Sequence, residues 1–115
     1  MSIASDLIRG HTDTIILARL VQSDSYGYAI NKSIKEQTDD AYELKEATLY
    51  TAFRRLEQSG WIESHWGNEA TGARRRYYRI TDPGRDAYLT KLDEWKAAKT
   101  MIEKLISQED NQNES

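Results

Sequence analysis

The chain has 115 residues, enough for one domain with a single modest core, and 30% of them are charged against 38% hydrophobic. A formal net charge of −3 argues against a nonspecific polyanion binder but leaves room for a specific one where basic residues cluster. The absence of cysteine excludes disulfides and thiolate metal sites, and no apolar run approaches the roughly 18 residues of a membrane span, so a cytoplasmic location is expected.

Residues 5–22 are predicted to form a first helix. Ile16, Leu17, Leu20 and Val21 make one apolar face, and Leu7, Thr14 and Ala18, with Gly10 nearby, make a second strip. Small residues on that second face imply close packing, either by a partner subunit or by another element of the same domain. Ser23, Asp24 and Ser25 form a turn containing candidate caps for a helix from about Tyr26 to Thr38, with Ala29, Ile30 and Ile34 inward. Residues 39–42 are a polar connection, and Glu43 to Lys45 read as a short extended piece.

The following helix, over 46–59, has two contrasting faces. Leu49, Phe53 and Leu56 share one, with Ala52 beside them, and suit a core. The other offers Ala47, Thr51, Arg54, Arg55 and Gln58, flanked by Thr48 and Tyr50, the small, hydroxyl and guanidinium groups that a helix entering a DNA groove needs. Glu46 in the first turn suits the helix dipole, and Gly60 is a C-cap candidate. Helix, short connection and amphipathic helix make a helix-turn-helix.

Past Gly60 the period changes to two. Ile62, Ser64 and Trp66 alternate with Glu63 and His65, and Tyr78 and Ile80 alternate with Tyr77 and Arg79, so two short strands are predicted around the loop at 67–72. Arg74, Arg75 and Arg76 leave the tip of this wing, which suits the negative potential of a DNA backbone or minor groove; a solvated edge that discourages strand aggregation is the competing reading. Between residues 46 and 80, six arginines against four glutamates leave the segment at +2 in a negative chain.

Thr81 or Asp82 caps a final helix, with Pro83 in its first turn, predicted over 83–107. Tyr88, Leu92, Trp95, Lys99, Ile102 and Ile106 recur at spacings of four and three, a coiled-coil-like seam widened by Ala98, Met101 and Leu105. So long a helix on so small a domain finds little in its own chain to cover it, which points to a homodimer. Residues 108–115 are polar throughout and are expected to be disordered. The predicted fold is therefore mainly α with a small β-hairpin: a winged helix-turn-helix over 5–82, a C-terminal dimerisation helix over 83–107 and a tail over 108–115.

The chain resembles the PadR family of bacterial winged-helix repressors, in its short-chain form with one C-terminal helix. The resemblance rests on Tyr26-Gly27-Tyr28-Ala29-Ile30, on Glu46-Ala47-Thr48-Leu49-Tyr50 with Arg55-Leu56-Glu57 and Gly60-Trp61-Ile62, on the wing from Gly72 to Thr81, and on Gly84. It covers residues 7–106. Trp95 is further similar to a tryptophan of multidrug-sensing members, in which two such rings sandwich flat aromatic compounds across the dimer interface.

By position, the resemblance implies DNA contacts from Thr48, Tyr50, Thr51, Arg54 and Arg55, with Arg74, Arg75 and Arg76 at the wing. It implies a ligand site lined by Trp95, Leu92, Tyr88 and Lys99, with Leu7, Gly10, Asp13, Thr14 and Ala18 from the first helix. Base reading in this motif comes from the N-terminal residues of the helix, so Ala47, Thr48, Tyr50 and Thr51 are assigned to bases and the two arginines to phosphate. Lys99 departs from the pattern, because a cation beside the tryptophan favours a neutral or anionic ligand unless Asp13, Asp93 or Glu94 neutralises it.

The expected function is that of a homodimeric repressor on an inverted-repeat, double-stranded DNA operator, released by a planar aromatic ligand. The competing function is a winged helix that binds protein and senses nothing. Catalysis finds no support: His11 and His65 stand in no metal-ligand or triad spacing, and no Gly-rich phosphate loop appears. No cofactor is expected.

Overall fold

The computed structural model describes residues 7–67 and 74–107. The start of the first predicted helix at 5–6, the hairpin tip at 68–73 and the tail at 108–115 lie outside the described residues. In chain order the elements are a 3₁₀ turn at Arg9–His11, α1 at Thr12–Gln22, α2 at Gly27–Gln37, α3 at Glu46–Gln58, β1 at Ile62–Trp66, β2 at Arg76–Ile80 and α4 at Asp82–Ile106.

The first predicted helix is not continuous. Leu7 and Ile8 are helical, but the α-helix proper begins only at Thr12, and His11 at φ −113°, ψ 12° is outside helical geometry. Gly10 has little preference for helix, and the Thr12 hydroxyl donates to the Arg9 carbonyl at 3.0 Å, closing a local turn that competes with the helical ladder.

The entry to α2 also differs from expectation. None of Ser23, Asp24 and Ser25 caps it; the N-cap is Tyr26, with no side-chain cap bond. Ser25 instead pairs with β2. Its N–H donates to the Tyr78 carbonyl at 3.1 Å and its carbonyl accepts from the Tyr78 N–H at 2.7 Å. Satisfying both backbone groups on a strand fastens the start of α2 to the wing.

The connection between α2 and α3 is held by side chains that periodicity does not reveal. Asn31 brackets Leu44: its Nδ2 donates to the Leu44 carbonyl at 2.7 Å and its Oδ1 accepts from the Leu44 N–H at 2.8 Å. Thr38 Oγ1 donates to the Ile34 carbonyl and accepts from the Tyr42 N–H, while Asp39 and Asp40 take the left-handed conformation that ends α2. Residues 43–45 form no strand, although Lys45 is extended. Leu44 is buried, so the bracket also seals the core beneath the reading helix.

The hairpin is antiparallel, with Ile62 opposite Ile80 and Trp66 opposite Arg76. Ile62, Tyr78 and Ile80 turn inward as their alternation predicts, but Trp66 is 57% exposed because its end of the strand has run past the core. The core joins Ile16, Leu17 and Leu20 of α1, Ile30 and Ile34 of α2, and Leu49, Ala52, Phe53 and Leu56 of α3 to those strand residues; Phe53 stacks on Tyr78 at 3.9 Å between ring centroids.

Helix α4 stands outside this core. Its hydroxyl cap is Thr81, whose Oγ1 accepts from the Gly84 N–H at 3.1 Å, and Gly84 is its one buried residue. The predicted seam is split between two environments. Tyr88 and Leu92 are half-buried, with Ala18 and Ile15 of α1 lining the same depression, whereas Met101, Ile102, Leu105 and Ile106 are bare, the last two 72% exposed.

Candidate nucleic-acid interface and helix groove

Every residue expected on the reading face of α3 is exposed: Ala47, Thr48, Tyr50, Thr51, Arg54 and Arg55. Burial of Leu49, Ala52, Phe53 and Leu56 on the other face fixes this orientation, since a rotation of the helix would take four apolar side chains out of the core. Tyr50 is held from two sides. Its ring meets Phe53 edge-on at 5.5 Å, and its hydroxyl lies over Gly27 so closely that a Cβ there would be 2.6 Å away. A side chain at position 27 would push Tyr50 off the start of α2.

The five arginines of this surface fall into two groups. Arg54, Arg74 and Arg75 have no carboxylate partner among the described residues. Arg54 donates to the Thr51 hydroxyl at 3.3 Å, Arg74 lies over Trp66 at 5.6 Å, and Arg75 lies over Tyr26 at 4.7 Å. Aromatic faces hold Arg74 and Arg75, and a hydroxyl holds Arg54, without neutralising them. Arg55 and Arg76 are paired. Arg76 Nη2 sits 3.3 Å from both oxygens of Glu57 and 3.0 Å from Ser64 Oγ. Arg55 donates through Nε and Nη2 to the two oxygens of Asp13 on α1, and that hydrogen bond, reinforced by the carboxylate charge, raises its pKa above the ordinary arginine value.

A second feature runs between α1 and α4. Trp95, 42% exposed, borders a groove shared with Gly10, His11, Thr14, Lys91, Glu94 and Ala98. An adjoining depression includes Thr14, Ala18, Tyr88 and Leu92 with Ile8 and Tyr42. Of the nine residues expected at a ligand site, Trp95, Gly10, Thr14, Ala18, Tyr88 and Leu92 are thus brought together along one furrow. Three are not. Asp13 faces α3 and is engaged by Arg55, Leu7 stands 71% exposed, and Lys99 is exposed beyond the lining. Asp13 is therefore spent on Arg55, and the acid beside Trp95 is Glu94, with Lys91 one turn before it.

His11, which the resemblance did not place among the ligand-site residues, also lines this groove and meets the Trp95 ring edge-on at 5.2 Å. A signal was present: position 11 falls between 7 and 14 in the strip Leu7, Thr14, Ala18 and completes its helical spacing. His65 is occupied elsewhere, with Nε2 at 3.0 Å from Asp24 and its ring stacked on Tyr77. Among the described residues, no group of three or more His, Asp or Glu side chains could hold a metal ion, and no helix is long and apolar enough to cross a membrane.

Three helices, an antiparallel wing and an exposed polar face on the third helix define a winged helix-turn-helix. Residues 16–90 match the model of the transcriptional regulator PadR-like family. The chain belongs to this family of transcriptional regulators. It is 45% identical to an uncharacterised protein of Lysinibacillus sphaericus over 102 residues, covering 88% of this chain and 93% of that one. A solved transcriptional regulator from Clostridium thermocellum is 50% identical with a TM-score of 0.83, covering 92% of this chain and all of the other. A PadR family transcription regulator from hypervirulent Clostridium difficile is 35% identical with a TM-score of 0.75, covering 84% and 99%.

Proposed function

We propose that the chain is a homodimeric DNA-binding repressor that reads an inverted repeat through α3 and the wing and is released by a planar aromatic ligand held near Trp95. The observation that carries the DNA-binding reading is that Arg54 on the exposed face of α3 and Arg74 and Arg75 at the wing have no carboxylate partner among the described residues, in a chain of net charge −3. Ala47, Thr48, Tyr50 and Thr51 face bases, with methyl groups of Ala47 and Thr51 against thymine, and the arginines face phosphates.

The second copy covers the bare half of the α4 seam. Exposed Met101, Ile102, Leu105 and Ile106 along one helix form the kind of apolar stripe that a matching helix buries. Two-fold symmetry then sets the two α3 helices about one helical turn of DNA apart. A ligand between the subunits shifts that spacing only as far as its affinity differs between the DNA-bound and free arrangements.

The salt dependence of duplex binding tests this function against a protein-interaction module. Each phosphate contact adds about 0.9 to the log–log slope. Because each substitution is present in both copies of the dimer, Arg74→Ala and Arg75→Ala each reduce the slope by about 1.8, and Arg76→Ala by less, because Glu57 already neutralises Arg76. A slope that none of the three changes would leave the protein-interaction module standing. For the ligand, matched anionic and cationic planar dyes are titrated while the fluorescence of Trp95 is followed in a Trp61→Phe, Trp66→Phe background. If the two copies bring their Lys99 side chains, which lie outside the groove of a single chain, up to the ligand across the α4 seam, the anion binds more tightly; preference for the cation would reject that assignment.

A further inference from the structure

Asp13 belongs to α1, yet its carboxylate is directed at the reading helix. It grips Arg55 along one edge of the guanidinium, through Nε and Nη2. The two Nη1 hydrogens and one on Nη2 remain for another acceptor. A guanidinium held along an edge by two bonds has a fixed plane, whereas a free one swings to any phosphate within reach. The same notch between the start of α1 and α3 is lined by Ala47, Thr48 and Thr51, so Asp13 sits against the stripe assigned to base reading.

Resting on the DNA-reading function proposed above, we infer that Asp13 is a positioning residue for sequence discrimination: it converts Arg55 from a mobile phosphate binder into an oriented contact of the reading face. Two consequences oppose each other. The ion pair removes one positive charge from the sequence-independent attraction to DNA, and the fixed orientation confines Arg55 to duplexes that offer an acceptor in its plane. Loss of Asp13 therefore strengthens binding to arbitrary DNA while weakening the preference for the right sequence. A residue needed only for folding would weaken both.

The test uses the full chain with two labelled duplexes, one recovered by the wild-type protein from a random library and one of scrambled sequence. Asp13→Asn keeps the shape of the side chain and removes its charge. It is expected to tighten binding to the scrambled duplex about threefold, to steepen its log–log salt slope by up to about two (one freed charge in each copy of the dimer), and to lower the selected-to-scrambled ratio about threefold or more. In an Arg55→Gln background the same substitution should leave the ratio unchanged. An unaltered ratio in Asp13→Asn, or an equal fall with Gln at position 55, overturns the assignment. Should Asp13→Asn unfold, Arg55→Lys provides the second reading. It keeps the charge and loses the two-bond edge, so it should lower the ratio with little change in slope, and a retained ratio overturns the assignment too. If the wild-type chain recovers no duplex at all, the DNA-reading function falls and this assignment with it; binding with an unaltered ratio removes the assignment alone.

Discussion

Adding one methyl group to two glycines is expected to have opposite effects. Gly84 lies in the first turn of α4, where a Cβ would be 2.0 Å from the Trp61 carbonyl oxygen and 2.8 Å from Ile80 Cγ1. Ordinary carbon–oxygen contacts begin at about 3.3 Å, so α4 must lift by about 1 Å or more, and the obstructing atom is backbone that cannot rotate away. The same carbonyl accepts from the Thr81 N–H at 3.0 Å, and Thr81 also caps the helix and donates to the Gly60 carbonyl, so the shift strains the whole anchorage. Overpacking costs about 1–3 kcal/mol and a lost hydrogen bond about 1 kcal/mol, against a gain of about 1 kcal/mol for alanine over glycine in a helix. The net loss for Gly84→Ala is about 2 kcal/mol. At Gly10 a Cβ meets nothing within 4 Å and the backbone is not left-handed, so Gly10→Ala gains about 0.4–1 kcal/mol by restricting the unfolded chain. Urea unfolding followed by circular dichroism, at one fixed protomer concentration, measures both. A Gly84→Ala midpoint equal to that of the wild type would refute the close approach of α4 to Trp61.

Two further variants probe the reading head. Asn31→Ala removes both bonds to Leu44 and leaves a partly buried peptide group without its partners, costing about 1–3 kcal/mol and loosening the start of α3. Urea unfolding and duplex titration should both register it, and wild-type stability would show that the bracket contributes nothing. Burial raises the pKa of Tyr78 above the ordinary phenol value. Because the folded state holds this proton more tightly, the associated stability is complete below the unfolded value of about 10 and is lost as pH rises through the folded value. Tyr78→Phe should therefore lose less stability than the wild type between pH 9 and 11, and parallel curves would exclude Tyr78 as the titrating group.

Elements with a strong period were legible. The alternation at 62–66 and 76–80 and the two faces of α3 follow from spacing, because burying one face of a helix or strand repays only one pattern of apolar residues, and the helical period of 83–107 likewise marked the long helix α4. What spacing cannot show is a polar side chain whose partner is distant in sequence. Asn31 with Leu44, Ser25 with Tyr78 and Asp13 with Arg55 all join separate elements, and nothing local distinguishes Asp13 from any solvated acid in a first helical turn. The discontinuity at Arg9–His11 was missed for a related reason. A hydroxyl three residues from a carbonyl is compatible with a helix and with the local turn that replaces it.

The furrow beside Trp95 shows the same division more sharply. Sequence alone determined that Trp95, Tyr88 and Leu92 share a face of α4 and that Thr14 and Ala18 share a face of the first helix, since helical geometry makes both necessary; Leu7 lies beyond the break at Arg9–His11 and leaves that face. Only the packing of α1 against α4 decided that Thr14 and Ala18 meet that seam, that His11 takes the place beside the indole and that Asp13 turns the other way. Residues 13 and 14 are about 100° apart on a helix, so adjacent positions serve different neighbours, and which neighbours exist is a property of the assembled domain.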